Sequence, residues 1–80
     1  MMYTDEMRRA FRSINAPKNF SVDLIDNEHF ISVVAREDVF MRLLDDEKRG
    51  AIEYMVRVKQ ALEDNGAIVL LVREGGKEQR

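Results

Sequence analysis

Ala67-Ile68-Val69-Leu70-Leu71-Val72-Arg73 is the stretch that decides the fold of this chain, with Asn65-Gly66 before it and Gly75-Gly76 after it. The run is short and is apolar at both alternating sets of positions, which is typical of a strand covered on both faces. A single layer of helices covers only one face of a sheet. In a chain of 80 residues we therefore expect the other face to need a partner.

Length and composition indicate one small folded domain. Eighty residues are near the lower limit for a self-sufficient core, and a chain that is 45% apolar and 35% charged is globular rather than disordered. The absence of cysteine excludes disulfides and thiolate chemistry. The first residues lack the basic and apolar regions of a secretory signal, and no apolar run is long enough to span a membrane. We expect a cytoplasmic protein.

Helix and strand patterns alternate along the chain. Thr4 is a helix cap before an apolar stripe, and Pro17 ends that helix. One helix over residues 38–64 would be about 40 Å long, against about 20–23 Å for the strands, so we expect a break at Asp45-Asp46-Glu47, which can cap a new helix. The predicted elements are helices over 5–15, 38–44 and 46–64 and strands over 20–24, 30–35 and 67–73.

These elements predict an α+β fold of a single domain, in the order α-β-β-α-α-β, with helices mainly on one face of a three-stranded mixed sheet. A right-handed crossover makes the third strand parallel to the second. Either strand of the hairpin has an apolar face that could lie beside the third, so the strand order stays open. We assign the domain to residues 1–73 and a flexible tail to residues 74–80.

The element order resembles that of type II KH domains and of BolA-like proteins. KH domains carry a GxxG loop between the two central helices, where backbone amides grip phosphates. The corresponding stretch here, Leu44–Gly50, has one glycine and three consecutive acids, which repel a phosphate backbone. The resemblance therefore implies a shared plan, and fold alone does not transfer function. The BolA-like strand-to-helix signature and its histidine have no counterpart in the chain.

Basic residues are concentrated in the first helix and just after it, whereas residues 21–50 carry eight acids against four bases. Arginines in such a cluster contribute salt-dependent contacts to phosphates, so the cluster is a candidate nucleic-acid or acidic-partner contact. No aromatic residues are interleaved with these bases, and a solvated helix face is the simpler interpretation. The cluster consists of Arg8, Arg9, Arg12 and Lys18.

No pattern in the chain predicts catalysis. Asp45-Asp46-Glu47 is better explained as a helix start than as a metal site, because consecutive acids do not share a helix face. His29 is the only histidine, and we interpret it as an exposed turn residue. No serine has the context of a nucleophile elbow. We expect no enzyme activity, no metal and no cofactor.

Apolar residues outside the predicted core stripe point to protein binding. Tyr54 and Val56 lie off the stripe of the long helix and, with Ile52, make it apolar around more than half its circumference. We predict a small protein-binding module, an adaptor or modulator of bacterial or phage accessory type, with a second copy of the chain as one candidate partner. The alternative is a KH-like nucleic-acid-binding domain that uses the basic first helix. The predicted interface residues are Tyr54, Val56, Ile31, Val69 and Leu71.

Overall fold

Three helices and three strands follow one another in the predicted order in a computed structural model that describes residues 2–75. The α+β class and the mixed three-stranded sheet are confirmed. The elements are α1 (Asp5–Arg12), β1 (Asp23–Asp26), β2 (Ile31–Arg36), α2 (Glu37–Met41), α3 (Asp45–Asp64) and β3 (Val69–Glu74).

The strand order in the sheet is β1-β2-β3, which settles the alternative that the sequence left open. β1 pairs with β2 in antiparallel orientation, and β2 pairs with β3 in parallel orientation, as a right-handed crossover requires. Ile31 is in register with Val69, and Val33 with Leu71. Residues in register share a face of the sheet, so these four side chains all point toward the same side.

The first strand begins and ends later than predicted. Phe20 and Val22 are buried, but they belong to an extended segment that precedes the ladder, which starts where Asp23 pairs with Val34. Asp26 is the last residue of β1 rather than part of the turn, because it pairs with Ile31 in the ladder. Its carboxylate accepts hydrogen bonds from the backbone N–H groups of Met2 (3.1 Å) and Tyr3 (3.2 Å). The alternation of apolar residues thus predicted which side chains are buried but not which residues of β1 pair with β2.

The first helix ends earlier than predicted. It begins as expected, since the Thr4 side chain accepts a hydrogen bond from the Met7 N–H at 3.1 Å. It ends at Arg12 rather than at residue 15. The Ser13 hydroxyl donates to the Ala10 carbonyl at 2.8 Å, so a local side-chain bond competes with continuation of the helix.

The predicted break between the second and third helices is confirmed, although the capping residue differs. Leu44, not Asp45, is the N-cap, and its backbone N–H donates to the Glu47 carboxylate at 2.8 Å. Asp46 accepts a hydrogen bond from the Glu47 N–H at 3.0 Å. The three acids therefore form the first turn of α3, where the helix dipole favours negative charge.

The tail predicted over residues 74–80 falls largely outside the described residues. Glu74 is the last residue of β3, one residue beyond the predicted domain boundary. Residues 76–80 lie outside the part of the chain that the structure describes.

The core lies between the helices and one face of the sheet. Its four most deeply buried large side chains come from β2 and α3: Ile31, Val33, Val58 and Leu62. The opposite face of the sheet carries the buried Val34 (7% exposed) and three apolar side chains that are roughly half exposed, namely Ile25, Ile68 and Leu70. The fold thus has one covered and one open sheet face, and β3 contributes apolar residues to both.

Candidate protein-binding surface

An apolar groove of about 320 Å³ runs between α3 and the outer edge of β3. Three of its apolar side chains are largely exposed: Ile52 and Val56 at 50% and Leu71 at 42%. We call it the β3 groove, and define it by its lining residues Ile52, Met55, Val56, Leu71 and Arg73. Three half-exposed aliphatic side chains in one concave place are an exposed apolar patch of the kind that marks interaction sites.

The position of β3 in the sheet explains why the groove is open. Leu71 points to the helix side because it is in register with Val33, which is fully buried. β3 is an edge strand, and no strand of residues 2–75 pairs with its outer side. Ile52 and Val56 are four residues apart on α3, so they lie one above the other beside Leu71. An aliphatic side chain that points to the helix side is therefore buried at Val33 on the central strand β2 and exposed at Leu71 on the edge strand β3.

An ion-paired arginine, Arg73, marks one end of the β3 groove. The Arg73 Nε lies 3.1 Å from a carboxylate oxygen of Glu37, and its guanidinium carbon lies 5.0 Å from the centre of the Phe40 ring. Such cation–π contacts and the ion pair restrict the arginine side chain. The groove therefore presents an apolar lining with a positioned hydrogen-bond donor at its end.

Two of the five predicted interface residues line this groove, and three belong to the core. Val56 and Leu71, far apart in sequence, are brought together. Ile31, Val69 and Tyr54 were predicted at an interface wrongly, because they are only 0%, 6% and 6% exposed. Helix packing over the sheet covers Ile31 and Val69, and Tyr54 packs edge-to-face against Phe20 with ring centres 6.3 Å apart.

The sequence interpretation left out Ile52 and Met55 as site residues. Ile52 was noted as part of the apolar circumference of the helix, and its i, i+4 relation to Val56 was the signal that both share one flank. Met55 belongs to the predicted core stripe and is 6% exposed, yet it forms part of the groove lining. Sequence spacing identifies the flank of a helix but not which strand lies beside it.

Burial raises the pKa of Tyr54 above its ordinary value of 10.0. The neutral phenol is thus favoured in the folded state, and its contribution to stability is complete below pH 10 and is lost as pH rises through the folded-state pKa. We expect the free energy of unfolding to fall above pH 10, and to fall less steeply in Tyr54→Phe. Urea unfolding at neutral pH and above pH 10 measures this. Burial also raises the pKa of Tyr3, so Tyr3→Phe should remove a separate part of the slope. An unchanged slope in Tyr54→Phe would contradict the burial of its phenol.

The basic cluster of α1 is partly neutralised by acids of the same helix. Arg8 pairs with Asp5 at 3.0 Å and Arg9 with Glu6 at 3.8 Å, all on exposed side chains. Exposed pairs of this type add little stability, but they reduce the net positive charge of the surface. Lys18 lies beyond the helix end and is exposed.

A second cavity of about 370 Å³ lies between α1 and β1. Arg8 and Arg12 reach it, but so do Asp23 and Asp26, which makes its charge mixed. One of these acids is already occupied, since the Asp26 carboxylate accepts two backbone N–H groups. The cavity thus lacks the one-signed basic character of a phosphate-binding surface.

Within residues 2–75, no group of three or more histidine, cysteine, aspartate or glutamate side chains is placed to hold a metal ion. His29 lies exposed in the turn between β1 and β2. None of the helices described is both long enough and apolar enough to cross a membrane. Comparison of the chain with protein-family models, with curated proteins and with solved structures finds no match.

Proposed function

We propose that this protein is a small protein-binding module, an adaptor or modulator rather than an enzyme, and that it binds an extended chain segment along the free edge of β3. In this mode of recognition a strand adds to the sheet edge, main-chain hydrogen bonds supply affinity and side-chain pockets supply specificity. The β3 groove is the pocket beside that edge. The proposal retains the cytoplasmic location expected from the sequence.

The observation that carries the proposal is the coincidence of an unpaired sheet edge with apolar side chains on both sides of it. On the helix side lie Leu71 and Val56, and on the open side lie Ile68 and Leu70, which are 62% and 46% exposed. Exposed edge strands of this kind pair with other chains unless they are protected by charges, prolines or bulges. The apolar stretch Val69–Val72 carries none of these protections. An edge that is kept open and apolar is best explained by a partner strand.

Substitution of Val56 by glutamate tests the site. Val56 is half exposed, so the variant should keep the helical circular dichroism spectrum of the wild type, while a charge in the β3 groove should reduce partner binding at least tenfold. Tagged wild-type and variant proteins are compared for the partners that they retain from source-cell lysate. Ile25→Glu is the matched control, because Ile25 is equally exposed but lies on β1, at the other edge of the sheet.

The same comparison distinguishes protein binding from the alternative function, nucleic-acid binding by the basic first helix. Capture that survives nuclease treatment, persists in Ile25→Glu and is lost in Val56→Glu supports protein binding at β3. Capture that disappears with nuclease, and with replacement of Arg8, Arg9 and Arg12 by alanine, assigns the function to the basic first helix instead. If Val56→Glu unfolds, Val56 is part of the core and the proposal is wrong.

A further inference from the structure

The two edges of the sheet differ in how well they are protected. β1 has four residues, two of them aspartates, and the Asp26 carboxylate ties the segment Met2–Tyr3 to its end. β3 has six residues and an apolar run from Val69 to Val72. Short edge strands with charged residues resist pairing, whereas long apolar ones invite it. Only one edge is therefore suited to pairing, and a single self-complementary edge closes into a dimer instead of extending into a fibre.

The backbone of β3 shows which of its residues face outward. The Ile31 N–H donates to the Ile68 carbonyl at 2.8 Å, so Ile68 directs its carbonyl toward β2. In a parallel pair the bonding residues of a strand alternate, so Leu70 and Val72 also bond to β2. Val69, Leu71 and Arg73 then direct their N–H and C=O groups away from the sheet. Leu71 lies in the middle of these three.

We propose that the segment bound at the free edge of β3 is β3 of a second copy of this chain, paired antiparallel about a two-fold axis at Leu71. This inference rests on the proposed function, because it names the occupant of the same surface. Leu71 lies opposite Leu71 of the second copy, and Val69 lies opposite Arg73. All three outward-facing residues of each strand exchange hydrogen bonds, and the two sheets become one sheet of six strands.

The two-fold axis also brings the exposed apolar side chains together. On the open face, Leu70 lies opposite Val72 of the second copy. On the helix side, the axis passes close to Met55 and Val56, since these line the groove together with Leu71. The two α3 helices then face each other antiparallel, and each β3 groove is closed by Ile52 and Val56 of the other copy. One symmetric contact thus closes both β3 grooves, while the open face of the sheet stays exposed.

The charges of α3 are complementary in this arrangement. Arg49 precedes Val56 by as many residues as Glu63 follows it, and Lys48 and Asp64 are related in the same way. An axis near Val56 therefore places the two bases of one helix level with the two acids of the other, where Glu63 also accepts a hydrogen bond from Lys59 (2.7 Å) and Asp64 one from Gln60 (2.8 Å) of its own helix. Opposite charges at such positions fix the orientation and register of paired helices. This match of charges favours a second copy of the chain over a partner that would only bury the apolar surface.

A cysteine-crosslinking experiment tests the register, since the natural chain contains no cysteine. Residues opposite each other in a hydrogen-bonded antiparallel pair have Cα atoms about 5.5 Å apart, which is within the range for a disulfide. Leu71→Cys, treated with diamide, should form a covalent dimer in high yield. Arg73→Cys is the matched control, because its two copies lie four residues apart along the strands, roughly 14 Å, and should remain monomeric on denaturing gels.

Sedimentation equilibrium of the unmodified chain provides the second readout. We expect twice the 9.3 kDa chain mass at micromolar concentrations, and a return to the single-chain mass in Leu71→Lys, which places a charge at the axis. A monomeric wild type, or equal crosslinking of Leu71→Cys and Arg73→Cys, overturns the self-pairing. A monomeric wild type that still captures a protein partner in a Val56-dependent manner overturns self-pairing alone and leaves the proposed function standing.

Discussion

Replacement of Phe20 by alanine is expected to lower the free energy of unfolding by about 3–5 kcal/mol. Phe20 is 5% exposed, and its ring lies edge-on to two other rings, those of Phe40 and Tyr54, each with centres 6.3 Å apart. The segment that carries it makes no ladder hydrogen bonds, and the Phe20 N–H makes only a long turn bond to the Pro17 carbonyl (3.4 Å), so packing is its main support. A domain of 80 residues has a total stability of roughly 4–12 kcal/mol, so the variant should lose a large share of it.

Urea unfolding followed by circular dichroism measures this loss, with Phe20→Leu as the control. Leucine keeps the apolar character and much of the volume, so its smaller loss separates the aromatic contacts from simple burial. The coupling between Phe20→Leu and Phe40→Leu in a double-mutant cycle should be about 0.5–1.5 kcal/mol. A loss below about 1 kcal/mol in Phe20→Ala would show that the aromatic cluster is not part of the folding core.

The fold followed from the sequence because its signals are local and periodic. The apolar stripe of α3, the acids of its first turn and the doubly apolar run before Arg73 each report on one element. The parallel pairing of β2 and β3 followed from the crossover connection through α2 and α3. The ends of α1 and β1 did not follow, because Ser13 and Asp26 make local side-chain hydrogen bonds there, one from the Ser13 hydroxyl and two to the Asp26 carboxylate. Alternation of apolar residues contains no information about such bonds.

The candidate site was predictable only in part, since exposure at a position depends on the neighbours of its strand. Val69 and Leu71 belong to the same alternating set of apolar positions in β3, yet Val69 is 6% and Leu71 42% exposed. Val69 packs within the core cluster, whereas Leu71 lines the open β3 groove. The sequence shows that both alternating sets of positions in β3 are apolar. Whether a given residue is buried depends on how α3 packs against it.

Replacement of Ile31 by alanine tests most directly whether this residue belongs to the core or to a binding surface. Ile31 has no exposed surface, so we expect a loss of about 2–5 kcal/mol in the free energy of unfolding, measured by urea unfolding. The matched control is Ile25→Ala on the neighbouring strand, where the side chain is 50% exposed on the open face and the loss should stay below about 1 kcal/mol. If Ile31→Ala instead leaves stability intact and weakens association, Ile31 belongs to a partner surface, and the helix layer does not cover the sheet as described. A large loss restricts the binding surface to the edge of β3 and the β3 groove, which Val56 and Leu71 line.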